Sequence, residues 1–159
     1  MKFLWLRFTI FVLMSFCLFC VPSYKPVFNQ FEVMPNVTYF YYTSQKNIDF
    51  KNATIIDCGS AYIVKCDILD AKNVKNNLDN VLGESVRISV FSIDESQSII
   101  SKYQSRILYK ENIDDYCIYY CYDSSLPKFV SINGQKINIQ IAVKQNTIDI
   151  GYPLILNGF

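Results

Sequence analysis

The pattern closest to known chemistry is Ser125-Leu126-Pro127-Lys128, the S-x-x-K spacing with which serine acyl transferases set a lysine base beside the nucleophile. That chemistry needs the serine at a helix start, so that one turn brings the lysine beneath it. Pro127 and the strand-like runs on either side make the segment a turn instead. The carboxylates Asp94-Glu95 and Asp114-Asp115 are adjacent in sequence and diverge. Neither pair can flank a glycosidic bond, and helix capping and turn formation account for both. The chain holds no histidine, which removes the Ser-His-Asp triad, the Cys-His dyad and imidazole ligation of a metal. The five glycines are too dispersed to cradle a phosphate. No residue is assigned a catalytic role, and no cofactor or metal is expected.

Six cysteines are present, four of them beyond the N-terminal leader at 58, 66, 117 and 121. On one strand Cys117 and Cys121 would stand about 13 Å apart, beyond disulfide reach. If Gly59-Ser60 is a two-residue turn, Cys58 faces Ala61 and Cys66 faces Ala53, so that pair is also out of register. A cross-pair such as Cys58 with Cys117 stays open, neither spacing suits zinc, and small buried thiols are the favoured reading. For binding, the candidates are Tyr120 and Tyr122, on one face of a strand, and the amides Asn138 and Gln140, expected on a solvated sheet face. The excess of Ile, Asn, Lys, Tyr and Phe is that of an AT-rich genome and discounts the twelve tyrosines as evidence.

These side chains must be held by strands and helices whose signals are readable. Val37 to Thr43, Ala53 to Cys58 and Ala61 to Cys66 read as strands. Asp70 fits a helix N-cap, with Ala71, Val74, Leu78, Val81 and Leu82 at helical spacing and Gly83 to stop the helix. Val86 to Phe91 alternates as a strand, and Asp94 caps a second helix with Ile99, Ile100 and Tyr103 inward. Strand followed by helix thus occurs twice, a weak internal echo. Arg106 to Lys110 and Tyr116 to Tyr122 are further strands. Turns at Asn133-Gly134 and Gln145-Asn146 then set a meander that pairs Val130 with Ile137, Ile141 with Ile150 and Val143 with Ile148. That register lays Val130, Ile132, Ile137, Ile139, Ile141, Val143, Ile148 and Ile150 on one face, and Lys136, Asn138, Gln140, Lys144 and Asp149 on the other. The expected fold is α+β: an antiparallel sheet ending in a C-terminal β-meander, with two helices packed on one face.

Lys2 and Arg7 precede an apolar run from Phe8 to Val21, closed by Pro22 and Ser23, the layout of a signal sequence. Residues 1–23 are therefore either a cleaved signal peptide, cut ahead of Tyr24, or a retained membrane anchor. Cys20 after the bulky Phe19 is a poor lipidation site. Residues 24–159 form one extracytoplasmic domain. Without the leader it carries 13 basic and 14 acidic side chains, which is no footprint for nucleic acid.

The stretch Ile132-Asn133-Gly134-Gln135-Lys136-Ile137-Asn138-Ile139-Gln140-Ile141-Ala142, then Thr147-Ile148-Asp149-Ile150-Gly151-Tyr152-Pro153-Leu154-Ile155 and the aromatic end at Phe159, resembles the YwmB family. So does Asp70 to Ser85, closed by Leu82-Gly83-Glu84-Ser85. These are extracytoplasmic proteins of Firmicutes described as TATA-box-binding-like. The resemblance implies a bacterial envelope or sporulation setting and no particular reaction. The functional expectation is a non-catalytic envelope protein that binds a protein partner or wall polymer through one sheet face, touching membrane only through an uncleaved leader. The alternatives are an extracytoplasmic hydrolase or transferase using carboxylate or serine chemistry, and a SPOR-type glycan-binding module.

Overall fold

The computed structural model describes Phe28 and residues 36–157; the leader, most of the segment before β1, and residues 158–159 lie outside the described residues. The strands are β1 (Val37–Thr43), β2 (Thr54–Asp57), β3 (Tyr62–Asp67), β4 (Val81–Ser89), β5 (Ile107–Ile113), β6 (Tyr116–Cys121), β7 (Val130–Ile132), β8 (Gln135–Ile137), β9 (Ile139–Lys144) and β10 (Thr147–Tyr152). The helices are α1 (Ile68–Asn76) and α2 (Ile93–Ser101). Eight strands form one antiparallel sheet in the order β2-β3-β1-β4-β10-β9-β6-β5, and β7 with β8 forms a separate ribbon. The fold is α+β, as expected from the sequence.

Because β3 and β4 both run antiparallel to β1, they are parallel to each other and need a crossover, which α1 supplies. Strand β5 lies four antiparallel steps from β4, so it too is parallel to β4, and α2 carries the chain across. The echo of strand then helix is two crossovers of different span. Both helices cover the same face. There Tyr39, Tyr41, Val64, Val86, Ile88, Ile141, Ile148 and Ile150 pack against Ala71 and Val74 of α1, Ile99 of α2 and Tyr103. Burying side chains of this size is the main stabilising contribution, at roughly 1.5–3 kcal/mol each before entropy is subtracted.

Both helices start earlier than expected. Asp67 caps α1, its carboxylate accepting from the N–H groups of Leu69 and Asp70. Helix α1 stops at Asn76, and a turn through Asn80, at φ 52°, delivers Val81 and Leu82 into β4. Their helical spacing is coincidental. Gly83 is a strand residue, where an added Cβ would stand 2.8 Å from the Tyr152 carbonyl oxygen. Ser92 caps α2 by accepting from Glu95 N–H at 3.1 Å, while the Glu95 carboxylate accepts from Phe91 N–H at 2.9 Å. This is a reciprocal capping arrangement.

All three expected pairings of the meander are present, but its apolar residues do not share one face. Ile139, Ile141, Ile148 and Ile150 belong to the helix-side core. Ile137 joins Ile118, Tyr120, Ala142 and Ile155 in a second cluster, with Val130 and Ile132 packed against it, and strand alternation puts that cluster on the opposite face. The chain switches sides at Asn138, between β8 and β9. This second face is covered as well. Ile155 N–H donates to Gln140 Oε1 at 3.0 Å, and Asn157 Oδ1 accepts from the Tyr42 hydroxyl at 3.0 Å and from Ser85 Oγ at 2.9 Å. The segment after β10 therefore runs back across the sheet to β4 and β1.

Candidate binding groove

The expectation of an exposed polar face fails for its central residues. Asn138 is fully buried and Gln140 nearly so. Asn138 Oδ1 accepts from Asp123 N–H at 2.8 Å, and its Nδ2 donates to the carbonyls of Asp123 at 2.7 Å and Leu126 at 3.4 Å. It pins the turn after β6. Gln140 is held by the C-terminal segment. Tyr120 pairs across the strands with Gln140, stacks on Tyr109 with centroids 4.5 Å apart, and donates its hydroxyl to Glu111. Burial first, then the Glu111 carboxylate, pushes that phenol up to about 12. Tyr122 is half-buried, and its N–H donates to Arg106 O at 2.9 Å. The structure thus brings Tyr120 and Gln140 together beneath other chain, and none of the four forms an open row.

The S-x-x-K segment is a turn. Ser125 donates its hydroxyl at 2.7 Å and its N–H at 2.9 Å to Asp123 Oδ1, whereas Lys128 Nζ donates to Val81 O at 2.5 Å. Serine and lysine serve different parts of the fold. The four described cysteines are free. Cys66 and Cys121 are buried and Cys117 is half-buried, but Cys58 is exposed, against the expectation of a buried thiol. It sits at the turn of the β2–β3 hairpin, where its N–H donates to Ala61 O at 2.9 Å and its neighbours are exposed as well. Among the described residues, no group of three or more His, Cys, Asp or Glu side chains could hold a metal ion.

A more accessible concavity lies at one end of the sheet. The Asp114-Asp115 turn joins β5 to β6, with Asp114 at φ 52°, and the Gln145-Asn146 turn joins β9 to β10. Pairing of Cys117 with Val143 puts both turns at the same end, and Val90 N–H donates to Asn146 O at 3.0 Å, fixing the entry to α2 there. Between α2 and these turns is an open groove of about 530 Å³. Ile93 and Ile100 wall it on the helix side; Cys117 and Val143 line the sheet side. At its rim Lys144 Nζ meets Asp115 at 2.7 Å and lies 4.6 Å from the Tyr116 ring centroid. The Asp115 contact raises the lysine's pKa and lowers its own. Beside α2, Phe91 is 80% exposed and Ile93 76%, two large apolar side chains next to one concavity, and exposed apolar patches of that kind mark interaction sites. Sequence reasoning missed this site, although Ile93 and Ile100 stand two helical turns apart. A second cavity, of about 420 Å³, lies between α1 and β1. Its wall includes Glu84, buried at 1% exposure and paired with Lys75 Nζ at 2.5 Å.

No protein-family model matches the chain, and no characterised protein or solved structure is significantly similar to it.

Proposed function

We propose that this is a non-catalytic, extracytoplasmic envelope protein that binds a protein partner in the groove beside α2. The YwmB-like C-terminal third and the basic-then-apolar leader support the compartment. The observation that carries the binding reading is the adjacency of Phe91 and Ile93 to an apolar groove with a charged rim. A fixed apolar floor with a few polar groups at its edge is how binding surfaces combine affinity with orientation. Gln97, Asn112, Gln145 and Tyr116 also line the groove, and the large exposed apolar side chains Phe91 and Ile93 beside it are what favour a protein partner.

The test is a photo-crosslinking residue at position 93 in cells of the source organism, with position 65, exposed on β3, as control. A discrete adduct at 93, absent at 65 and lost in Phe91→Asp, is the expected result. Equal labelling at both positions, or adducts only with wall polymer, would remove the groove as a protein-binding site. Fusing residues 1–25 to a reporter active only outside the cytoplasm tests the compartment. Activity confined to the cell interior would reject it.

A further inference from the structure

We infer that the protein partner enters through an extended segment that adds to the outer edge of β5 as a further strand and turns side chains into the groove. This deepens the groove reading and rests on it. Strand β5 is the last of the eight-stranded sheet, and its hairpin to β6 fixes which backbone groups face outward. Asp114-Asp115 is a two-residue turn, so the flanking Ile113 and Tyr116 exchange hydrogen bonds. Alternation pairs Glu111 with Ile118 in the same way, and turns the N–H and C=O groups of Lys110 and Asn112 away from β6. Among the described residues, nothing donates to or accepts from those outward groups.

The same two residues lead into the groove. Asn112 stands opposite Cys117, and Cys117 opposite Val143. This row across three strands is the groove floor, and it runs out at the free edge of β5. An added strand would set the side chain opposite Asn112 on that face, about 5 Å farther out, as the next member of the row. Lys110 is exposed on the same face and Glu111 on the other. Antiparallel addition, the commoner pairing, therefore favours a segment that reads apolar, basic, acidic opposite Asn112, Glu111 and Lys110. The outward groups repeat about every 7 Å, a spacing that a peptide backbone meets group for group. A second copy of the chain fits worse. Full overlap of two β5 strands about a two-fold axis sets Lys110 against Lys110, and the register shift between Ile107 and Tyr109 interrupts the edge beyond.

Amide exchange of the full chain, read by NMR, tests this with a blocked peptide of alternating threonine and valine that carries valine-lysine-glutamate at its centre. Binding should slow exchange at Lys110 and Asn112 several-fold and leave Glu111, already bonded to β6, unchanged. The peptide with lysine and glutamate exchanged should bind several-fold more weakly. A peptide N-methylated at two adjacent central residues, which blocks both of its edges, should not bind. Lys110→Pro removes an outward N–H and none bonded to β6, a change that an edge strand tolerates, and should abolish both the protection at Asn112 and the cellular crosslink from position 93. Absence of protection, equal binding of the two charge orders, protection that persists with the N-methylated peptide, or self-association of the free chain through β5 would overturn strand addition. So would a position-93 adduct that Lys110→Pro leaves intact, a result that keeps the groove as a protein-binding site; a parent chain that gives no adduct at 93 rejects the groove reading itself.

Discussion

Replacing Arg87 with methionine isolates the most exposed consequence of the two-faced sheet. Arg87 and Asp149 are cross-strand partners on β4 and β10. The guanidinium donates twice, Nε to Oδ1 at 2.7 Å and Nη2 to Oδ2 at 3.2 Å. The carboxylate side chain is 2% exposed and the arginine 37%, so the two partners are not equivalent. Burial already raises the Asp149 pKa, and the hydrogen bond and charge of Arg87 offset part of that rise. Arg87→Met removes the offset and leaves a buried carboxylate. The loss at pH 7 should be about 3 kcal/mol, at the low end for a broken buried pair because the arginine side is partly solvated. Asp149→Asn leaves a guanidinium that water can reach and should cost about 1 kcal/mol. The pH response carries a definite sign. A carboxylate whose folded pKa lies above its unfolded value destabilises when ionised, so Arg87→Met should regain stability as pH falls through that raised value. The gain is at most about 1.4 kcal/mol per pH unit and ends below the unfolded pKa. Urea titrations from pH 7.5 to pH 4, referenced to the parent protein at each pH, read this directly. A deficit independent of pH, or an Asp149→Asn loss as large as that of Arg87→Met, would refute the reasoning.

Three further outcomes are expected. Asn138→Ala should cost about 2–3 kcal/mol by urea denaturation, because it strands the N–H and carbonyl of Asp123; a loss near the roughly 0.5 kcal/mol of a surface change would contradict its burial. Gly83→Ala should cost about 1–3 kcal/mol, since the new Cβ meets backbone at 2.8 Å and backbone gives way poorly; an unchanged melting temperature would show that β10 can shift. At pH 8 a thiol reagent should label Cys58 at once and spare Cys66 and Cys121, whose thiols burial pushes up to about 12. Labelling of either buried thiol at the rate of Cys58, read by peptide mapping, would contradict the packing.

The parts of this fold that were legible are those fixed by neighbouring residues. Asn133-Gly134 at φ 51° and 78° admits a tight hairpin, and a tight hairpin sets its register outright. The α2 start lies at Ser92 and not at the expected Asp94; the spacing Ser92 to Glu95 is a capping pattern, but the adjacent Asp94 is the more conspicuous acid. The α1 end was not legible. Val81 and Leu82 continue its spacing, and only pairing with β1, Val81 opposite Thr43, makes them a strand.

The reversed assignment of the polar residues has a different physical origin. Alternation through Ile137, Asn138 and Ile139 is unbroken in sequence, yet the chain leaves one sheet and enters another at Asn138. The two isoleucines lie in different clusters. A polar residue at every second position looks solvated whenever its partner is remote. The partner of Asp149 is 62 residues away, and those of Asn138 and Gln140 about 15. Each amide or carboxylate was expected to face water because nothing nearby could satisfy it. In the fold, backbone from the turn after β6 and from the segment after β10 takes the place of that water for Asn138 and Gln140, and the Arg87 guanidinium does so for Asp149. The accessible chemistry is displaced to the sheet end, where α2 leaves Phe91 and Ile93 uncovered. Binding there requires no opening of either core, whereas binding on the amides would require peeling away the C-terminal segment and leaving Gln140, Tyr42 and Ser85 to find new partners.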